Sequence, residues 1–182
     1  MKVALEGRPD ATRTSAALGS FVFLLVTPGT VCGLVPLLIN AWRRPGAPLP
    51  WVDALGWILV LSGAAVLIHA FVAFAWYGRG TPPPPAPTER LVVEGAYRHV
   101  RNPMYVAVLA VVLGQVLLFA SWGLFAYLVV LGVTVNAFVR AYEEPTLREA
   151  YGPTYEEVCA NVPRWLPRLT PWRRAAQRAG QR

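Results

Sequence analysis

The segment 97–105 contains the first group of residues whose types suit ligand chemistry. It includes two arginines and His99, and the chain becomes apolar directly after Pro103. Asn102 is a favourable N-cap and proline suits a first helical turn, so a helix is predicted to begin here. Free N–H groups at a helix N-terminus, beside two arginines, can bind an anionic group. The alternative is that these basic residues lie among lipid headgroups.

The second group follows a long apolar run and consists of Arg140, Glu143 and Glu144, with Pro145 directly after the acidic pair. Adjacent carboxylates repel each other and gain nothing from an anionic lipid surface. We therefore expect a positive partner nearby, either an arginine of one of the two groups or a cationic ligand. A structural network of ion pairs is the alternative. Because proline disfavours helical geometry in the residue before it, the helix is expected to end at Glu144 and restart.

The composition indicates that a membrane surrounds the elements that position these two groups. The chain has 182 residues, of which 55% are hydrophobic and 15% charged, whereas soluble domains have about 25% charged residues. We predict an all-α membrane protein, residues 1–182 forming one domain, with four transmembrane helices and short cytoplasmic C-terminal helices. Its spans are predicted at about residues 17–41, 54–77, 104–120 and 124–140. A tight turn at Ser121 joins the third and fourth spans into a hairpin.

The distribution of arginine predicts the orientation of the spans. The segments 79–101 and 140–182 are rich in arginine, whereas the turn at Ser121 carries no charge. Both segments and both termini are therefore predicted on the cytoplasmic side of a bacterial inner membrane, although Arg43-Arg44 favours the opposite orientation. The formal charge of +7 is typical of helix ends that contact anionic lipid, so membrane lipids are expected partners and nucleic acid is not.

Several smaller features complete the pattern. Residues 81–88 are rich in proline and predict a stiff polyproline spacer before the third span. The polar residues His69, Gln115 and Asn136 lie inside spans, where hydrogen bonding between helices is the expected role and His69 is the strongest functional candidate. The two cysteines have no metal-ligand spacing, and no metal site is predicted.

Together these residues resemble the superfamily of integral membrane enzymes that includes isoprenylcysteine carboxyl methyltransferases and phospholipid methyltransferases. The resemblance lies in residues 95–105, in the Glu143-Glu144 pair after the last span, and in the closing Val162-Pro163-Arg164-Trp165-Leu166-Pro167. It covers about residues 91–167, whereas the first two spans match only as hydrophobic helices.

The resemblance implies S-adenosylmethionine as methyl donor, bound between the third and fourth spans and their cytoplasmic flanks, over about residues 91–167. It implies catalytic roles for Glu144 and for Arg140 on the acceptor side. The acceptor would be a lipophilic carboxylate, thiol or amine that enters from the bilayer. Many relatives have histidine where Asn102 stands, so this contact differs here. The residues implied at the cofactor are Tyr97, His99, Arg101, Asn102, Pro103, Tyr105, Glu143 and Glu144.

Two other functions are compatible with the same residues. A membrane reductase of the sterol-reductase type would bind NADPH, but the chain shows no phosphate-binding glycine pattern. A non-catalytic membrane module would use the polar groups as lipid anchors. The sequence predicts neither the identity of the acceptor nor the oligomeric state.

Overall fold

The computed structural model describes residues 26–43, 49–77, 91 and 93–173, and this part of the chain contains helices and no strands. The predicted polyproline spacer, residues 17–25 of the first predicted span and the tail 174–182 lie outside the described residues. The helices are α1 (Val26–Asn40), α2 (Pro50–Tyr77), α3 (Pro103–Phe119), α4 (Trp122–Phe138), α5 (Glu144–Tyr151) and α6 (Pro153–Asn161).

Two helical stretches are long and apolar enough to cross a membrane. They are Pro50–Ala70 within α2 and Trp122–Tyr151, in which α4 continues into α5. The apolar helices α1 and α3 are shorter over their described residues. The predicted all-helical fold is therefore confirmed, with two helices of a length and composition that could cross a membrane. The count of four spans, including α1 and α3, stays a prediction.

The ends of the helices follow local rules that the sequence makes visible. Pro50 opens α2 and Asp53 lies in its first turn, where an acidic residue is favourable, so the helix begins four residues before the predicted Ala54. Between α3 and α4, Ala120 adopts a left-handed conformation with φ 45°, and the Ser121 hydroxyl accepts a hydrogen bond from the Leu124 N–H at 3.4 Å. The predicted tight turn is thereby confirmed.

Glycines allow α2 and α3 to approach closely, as small residues do between membrane helices. A Cβ built on Gly114 of α3 would lie 2.6 Å from the carbonyl oxygen of Gly56 in α2. One built on Gly63 of α2 would lie 2.8 Å from the carbonyl oxygen of Ala107. Neither position has space for a side chain, so this interface depends on the missing methyl groups.

Helix α1 contains a π turn, Thr30–Leu34, that is closed by a hydrogen bond from the Val35 N–H to the carbonyl five residues back. Pro36 follows directly and has no N–H to donate. As a result, the carbonyl groups of Val31 and Cys32 lose helical donors that they would otherwise have. Buried carbonyl groups without donors are costly, so partners from other helices are expected.

Side chains from the α3–α4 hairpin supply these donors. The Gln115 amide of α3 donates to the Cys32 carbonyl at 2.6 Å, and the Tyr127 hydroxyl of α4 donates to the Val31 carbonyl at 3.0 Å. The expected interhelical role of Gln115 is thus confirmed. These two bonds tie the proline-widened turn of α1 to the hairpin.

After α4 the chain stays helical through a second π turn, Val139–Glu143, and then forms α5 and α6. Gly152, at φ 48°, separates these two short helices. The residues that follow α6, 162–173, form an extended segment that we call the strap. Val158, Val162 and Trp172 form a small core there, with Leu91 and Val93 packed against it.

Candidate functional site

The loop before α3 contains most of the residues implied by the resemblance, and it begins with a short 3₁₀ turn, Gly95–Arg98. Gly95 has φ 55°, a conformation that side chains disfavour. A Cβ at this position would lie 2.7 Å from Nε2 of His69 in α2. Because Gly95 has no side chain, the loop can lie in direct contact with the His69 ring of α2.

The strap holds this loop in an antiparallel arrangement. Three backbone hydrogen bonds of 2.9 Å join the two segments: from Arg101 to Pro163, from Arg168 to His99, and from Trp172 to Arg98. Since Pro163 and the other strap prolines cannot donate, their segment contributes through carbonyl groups and the N–H groups of other residues.

Two residues implied at the cofactor contribute their side chains to the same junction. Nδ1 of His99 lies 2.7 Å from the carbonyl oxygen of Arg168, so this nitrogen carries the hydrogen and donates. The Asn102 amide donates to the Arg164 carbonyl at 3.2 Å. Asn102 occupies the predicted N-cap position of α3, but its side chain makes no capping bond. The structure therefore shows His99 and Asn102 holding the strap.

Glu144 is a buried carboxylate surrounded by three arginines, of which Arg148 is exposed and Arg164 half-buried. Its side chain is 4% exposed and accepts bonds from Nε and Nη2 of Arg164, the latter at 2.9 Å. Arg101 Nη1 lies 3.2 Å away and Arg148 Nη2 3.6 Å away. The hydrogen bonds that Arg164 donates to Glu144 raise the pKa of Arg164 above its usual value. Arg148 is bound more closely by Glu156, at 2.8 Å, so Glu144 mainly neutralises Arg101 and Arg164. The three arginines and two carboxylates leave one positive charge in excess.

Arg101 is the arginine of this cluster that has a hydrogen-bond donor left for a ligand. Its Nη1 also donates to the Cys159 thiol at 2.8 Å, and its side chain is 11% exposed. Its Nε is buried and has no hydrogen-bond partner among the described residues. A buried donor without an acceptor is costly, so this atom marks a place where an anionic ligand group would be stabilised.

Glu143 lies in a different environment, formed by two phenols. The Tyr105 hydroxyl of α3 donates to Oε2 of Glu143 at 3.0 Å. Burial raises the pKa of Tyr97 above its usual range, and the nearby Glu143 carboxylate and Tyr105 raise it further. The loop and α3 therefore each bring a neutral phenol close to this carboxylate. Among the described residues, no ion pair joins Glu143 to an arginine.

The π turn at the end of α4 separates the two carboxylates. The Glu144 N–H donates to the carbonyl of Val139, five residues back, and Glu144 keeps helical angles of φ −64° and ψ −43°. The expectation that the helix ends at Glu144 is therefore wrong. The proline ring at Pro145 would clash with the carbonyl four residues before it, and widening of the turn relieves this clash without a break.

The remaining residues implied by the resemblance have simpler surroundings. Pro103 is fully buried in the first turn of α3, where it contributes packing. Arg140 is exposed within the π turn. It therefore lies close in the chain to the acidic pair, on the outer surface of the helix.

Sequence reasoning missed several residues that complete the site. Arg164 and Arg148 neutralise Glu144, and Trp165 of the strap donates to Asn136 of α4 at 3.1 Å. Arg164 belongs to the closing Val162–Pro167 motif, which is part of the family resemblance. That motif could have pointed to Arg164, but the resemblance assigned no role to it. The expected positive partner of the acidic pair is confirmed in Arg101.

The model of the phospholipid methyltransferase family matches residues 51–154. The match includes α2, the loop over His69, the α3–α4 hairpin and both carboxylates, and it ends before the strap. A comparison with curated proteins gave no match.

Proposed function

The chain belongs to the phospholipid methyltransferase family, and we propose that it transfers a methyl group from S-adenosylmethionine to a lipophilic acceptor at the membrane. Family membership points to methyltransferase activity in general, and members typically use this donor. The observation that supports the proposal for this chain is the pair of adjacent carboxylates, one neutralised by arginines and one left among phenols.

The charges of the site fit the amino-acid end of the donor, which carries an ammonium and a carboxylate. Glu143 is the group suited to the ammonium, because its contacts are phenols rather than guanidinium groups. The partnerless Nε of Arg101 is suited to the carboxylate. Glu144 is already occupied by its arginines, so we assign it the positioning of Arg101 rather than contact with the donor.

The neighbouring elements hold these groups in place. Tyr105 fixes the orientation of the Glu143 carboxylate, and the strap fixes the backbone of Arg101. The N-terminus of α3 lacks a side-chain cap, so its free N–H groups add a positive partial charge next to Arg101. This prearrangement favours binding because few groups need to be ordered when a ligand arrives.

The donor supplies a methyl group on a positively charged sulfur, and the acceptor's lone pair forms the new bond as the carbon–sulfur bond breaks. The protein's part is to align the two and to exclude water. Apolar residues of α2 and α3 suit this second task, since Leu67 and Ala107 form a buried cluster with Met104 and Val108 packed against it.

We further propose that the acceptor is a lipophilic carboxylate, thiol or amine that arrives laterally from the bilayer. Its long apolar part would be soluble only there, and α1, α2 and α4 expose many large apolar side chains to that environment. Arg140, exposed beside the acidic pair, is the candidate for contact with the polar end of the acceptor.

Calorimetric titration of the protein in lipid nanodiscs with S-adenosylhomocysteine, the product of the donor, tests the proposal. We expect saturable binding at micromolar concentrations, and none with NADPH as a control ligand. Binding of NADPH but not S-adenosylhomocysteine, in a sample with a cooperative thermal transition, would contradict the proposal. Methyl transfer from labelled donor to a lipid extract then identifies the acceptor.

A further inference from the structure

The strap, residues 162–173, has a composition unlike that of the helices around it. Prolines at 163, 167 and 171 prevent it from forming a helix, and it contains three arginines and no acidic residue. It also lies outside the residues that match the family model. The family match therefore gives no information on the role of the strap.

One side of the strap is attached to the protein. Val162 and Trp172, near its two ends, are 1% and 7% exposed, and its backbone is hydrogen-bonded to the loop before α3. The middle faces outward, because Leu166 is 79% exposed and Leu169 99% exposed. Fixed ends thus present two leucines away from the protein.

The position of the strap along α4 indicates what these leucines contact. Trp165 donates to Asn136, which lies four residues before Arg140, the first charged residue after the apolar run of α4. At the rise of an α-helix, Asn136 is about 6 Å further into the membrane than Arg140. If Arg140 marks the edge of the apolar core, the indole of Trp165 therefore lies about one helical turn inside that edge, and the strap runs along the membrane interface.

We propose that the strap docks on an anionic membrane leaflet, with Leu166 and Leu169 inserted among the acyl chains and Arg168 and Arg173 among the headgroups. Arg164 is paired with Glu144, so Arg168 and Arg173 are the strap residues whose positive charge complements anionic lipid. Its two exposed leucines are apolar, as are many exposed side chains of the helices, and tryptophan prefers the interfacial level of a membrane. Docking would also hold the loop that contains Arg101, because the strap is hydrogen-bonded to it.

A nitroxide spin label at Leu169→Cys measures the depth directly. The protein, with Cys32→Ala and Cys159→Ser, is placed in nanodiscs of equal parts phosphatidylglycerol and phosphatidylcholine. The control label is at Ala160→Cys, an exposed position on the polar helix α6. We expect the label at 169 to collide mainly with oxygen and the label at 160 mainly with a water-soluble nickel chelate. Equal nickel accessibility at both positions would overturn the proposal.

Two further outcomes are decisive. Dipolar broadening at 169 that disappears on dilution with unlabelled protein would assign the leucines to a second copy of the chain and not to lipid. Oxygen accessibility at 169 that is unchanged in pure phosphatidylcholine would overturn the role of anionic lipid. Neither readout requires the methyl donor, so failure here is distinct from failure of the proposed function.

Digestion with trypsin is a second test, which compares the wild-type protein with a double variant and needs no cysteine substitutions. Docking should protect the bond after Arg168, and Leu166→Ser combined with Leu169→Ser should release it. We expect cleavage about 10-fold faster in the double variant in anionic nanodiscs, because burial of two leucines is lost. Equal rates for the two proteins in these nanodiscs would overturn the proposal.

Discussion

Glu143 and Glu144 are neighbours in the chain, yet one carboxylate lies beside neutral phenols and the other among arginines. Glu144 contacts three guanidinium groups, whereas Glu143 accepts a bond from Tyr105. Sequence reasoning placed both at the donor, because a family resemblance carries over residue types but not their partners. The arginine that binds Glu144 most closely lies 20 residues later, and only the fold brings it there. The same side chain is thus expected to stabilise the fold at one position and bind a ligand at the next.

Replacement of the buried carboxylate should mainly affect stability. Glu144→Gln would leave the largely buried Arg101 and the half-buried Arg164 without a countercharge. Because Arg164 is partly solvated, we expect a loss of about 2 kcal/mol in the free energy of unfolding, below that for a fully buried pair. Thermal or SDS-induced unfolding in mixed micelles measures it. Glu149→Gln, at an exposed position of α5, is the matched control and should change stability by less than about 0.5 kcal/mol. Equal stability of the two variants would show that the cluster contributes little.

Replacement of the other carboxylate should mainly affect ligand binding. Glu143→Gln keeps the shape of the side chain and an acceptor for Tyr105 but removes the charge that we assign to the donor's ammonium. Loss of a charge-assisted bond of about 1.5–3 kcal/mol corresponds to roughly 10–100-fold weaker binding of S-adenosylhomocysteine. The melting temperature without ligand should stay close to that of the wild type. Unchanged affinity in calorimetry would remove Glu143 from the binding site.

At the level of helices, two π turns share one arrangement. Each is closed by a bond over five residues, and each is followed by one residue and then a proline, Pro36 in α1 and Pro145 after α4. The positions of the prolines are visible in the sequence, and a break was expected at the second. The structure widens the turn instead, which relieves the clash of the proline ring. At the first π turn, side chains of the α3–α4 hairpin satisfy the carbonyl groups left without donors. Sequence patterns predicted the helices and hairpin well, since apolar length and turn residues are local signals.

The widened turn of α1 predicts coupling between Pro36 and Gln115. Gln115→Met removes the donor to the Cys32 carbonyl and should cost about 1 kcal/mol of unfolding free energy. Pro36→Ala restores an N–H that can bond this carbonyl within the helix. The cost of Gln115→Met should therefore be much smaller in the Pro36→Ala background, as a double-mutant cycle of SDS unfolding would show. Additive effects of the two changes would mean that the Gln115 bond does not depend on the proline.

The close approach of α2 and α3 predicts unequal effects of two glycine substitutions. A Cβ at Gly114 would lie 2.6 Å from a backbone oxygen, which cannot move aside as a flexible side chain can. Gly114→Ala should therefore separate the helices and destabilise the protein by about 1–3 kcal/mol. Gly132→Ala in α4 is the control, because its nearest neighbour would be a Leu109 methyl group at 3.9 Å. We expect Gly132→Ala to leave the melting temperature unchanged or slightly higher, and similar losses for both variants would contradict the close packing.

At the level of the whole molecule, the polar contacts of the candidate site lie together at one end of the helices. The loop before α3, the π turn after α4 and the strap all meet there, although they are far apart in sequence. Charge clusters predicted the loop and the end of α4 as polar groups, and the family resemblance extended to the closing motif of the strap. The contacts of the strap could not be predicted, because its hydrogen bonds use carbonyl groups whose positions depend on the fold rather than on residue type.

If the hairpin spans the membrane, its turn and the polar end must face opposite sides. Each arm has 17 residues, or about 26 Å of helix, which nearly equals a hydrocarbon core of about 30 Å. A membrane-impermeant maleimide applied to bacterial cells that express single-cysteine variants tests this arrangement. Trp122→Cys, at an exposed position beside the turn, should react in intact cells, and Ala160→Cys only in inverted vesicles. Reaction of both from one side would show that the hairpin does not cross. The reverse pattern would mean that Arg43-Arg44, not the arginines flanking the site, determines the orientation, and would place the donor site outside the cytoplasm.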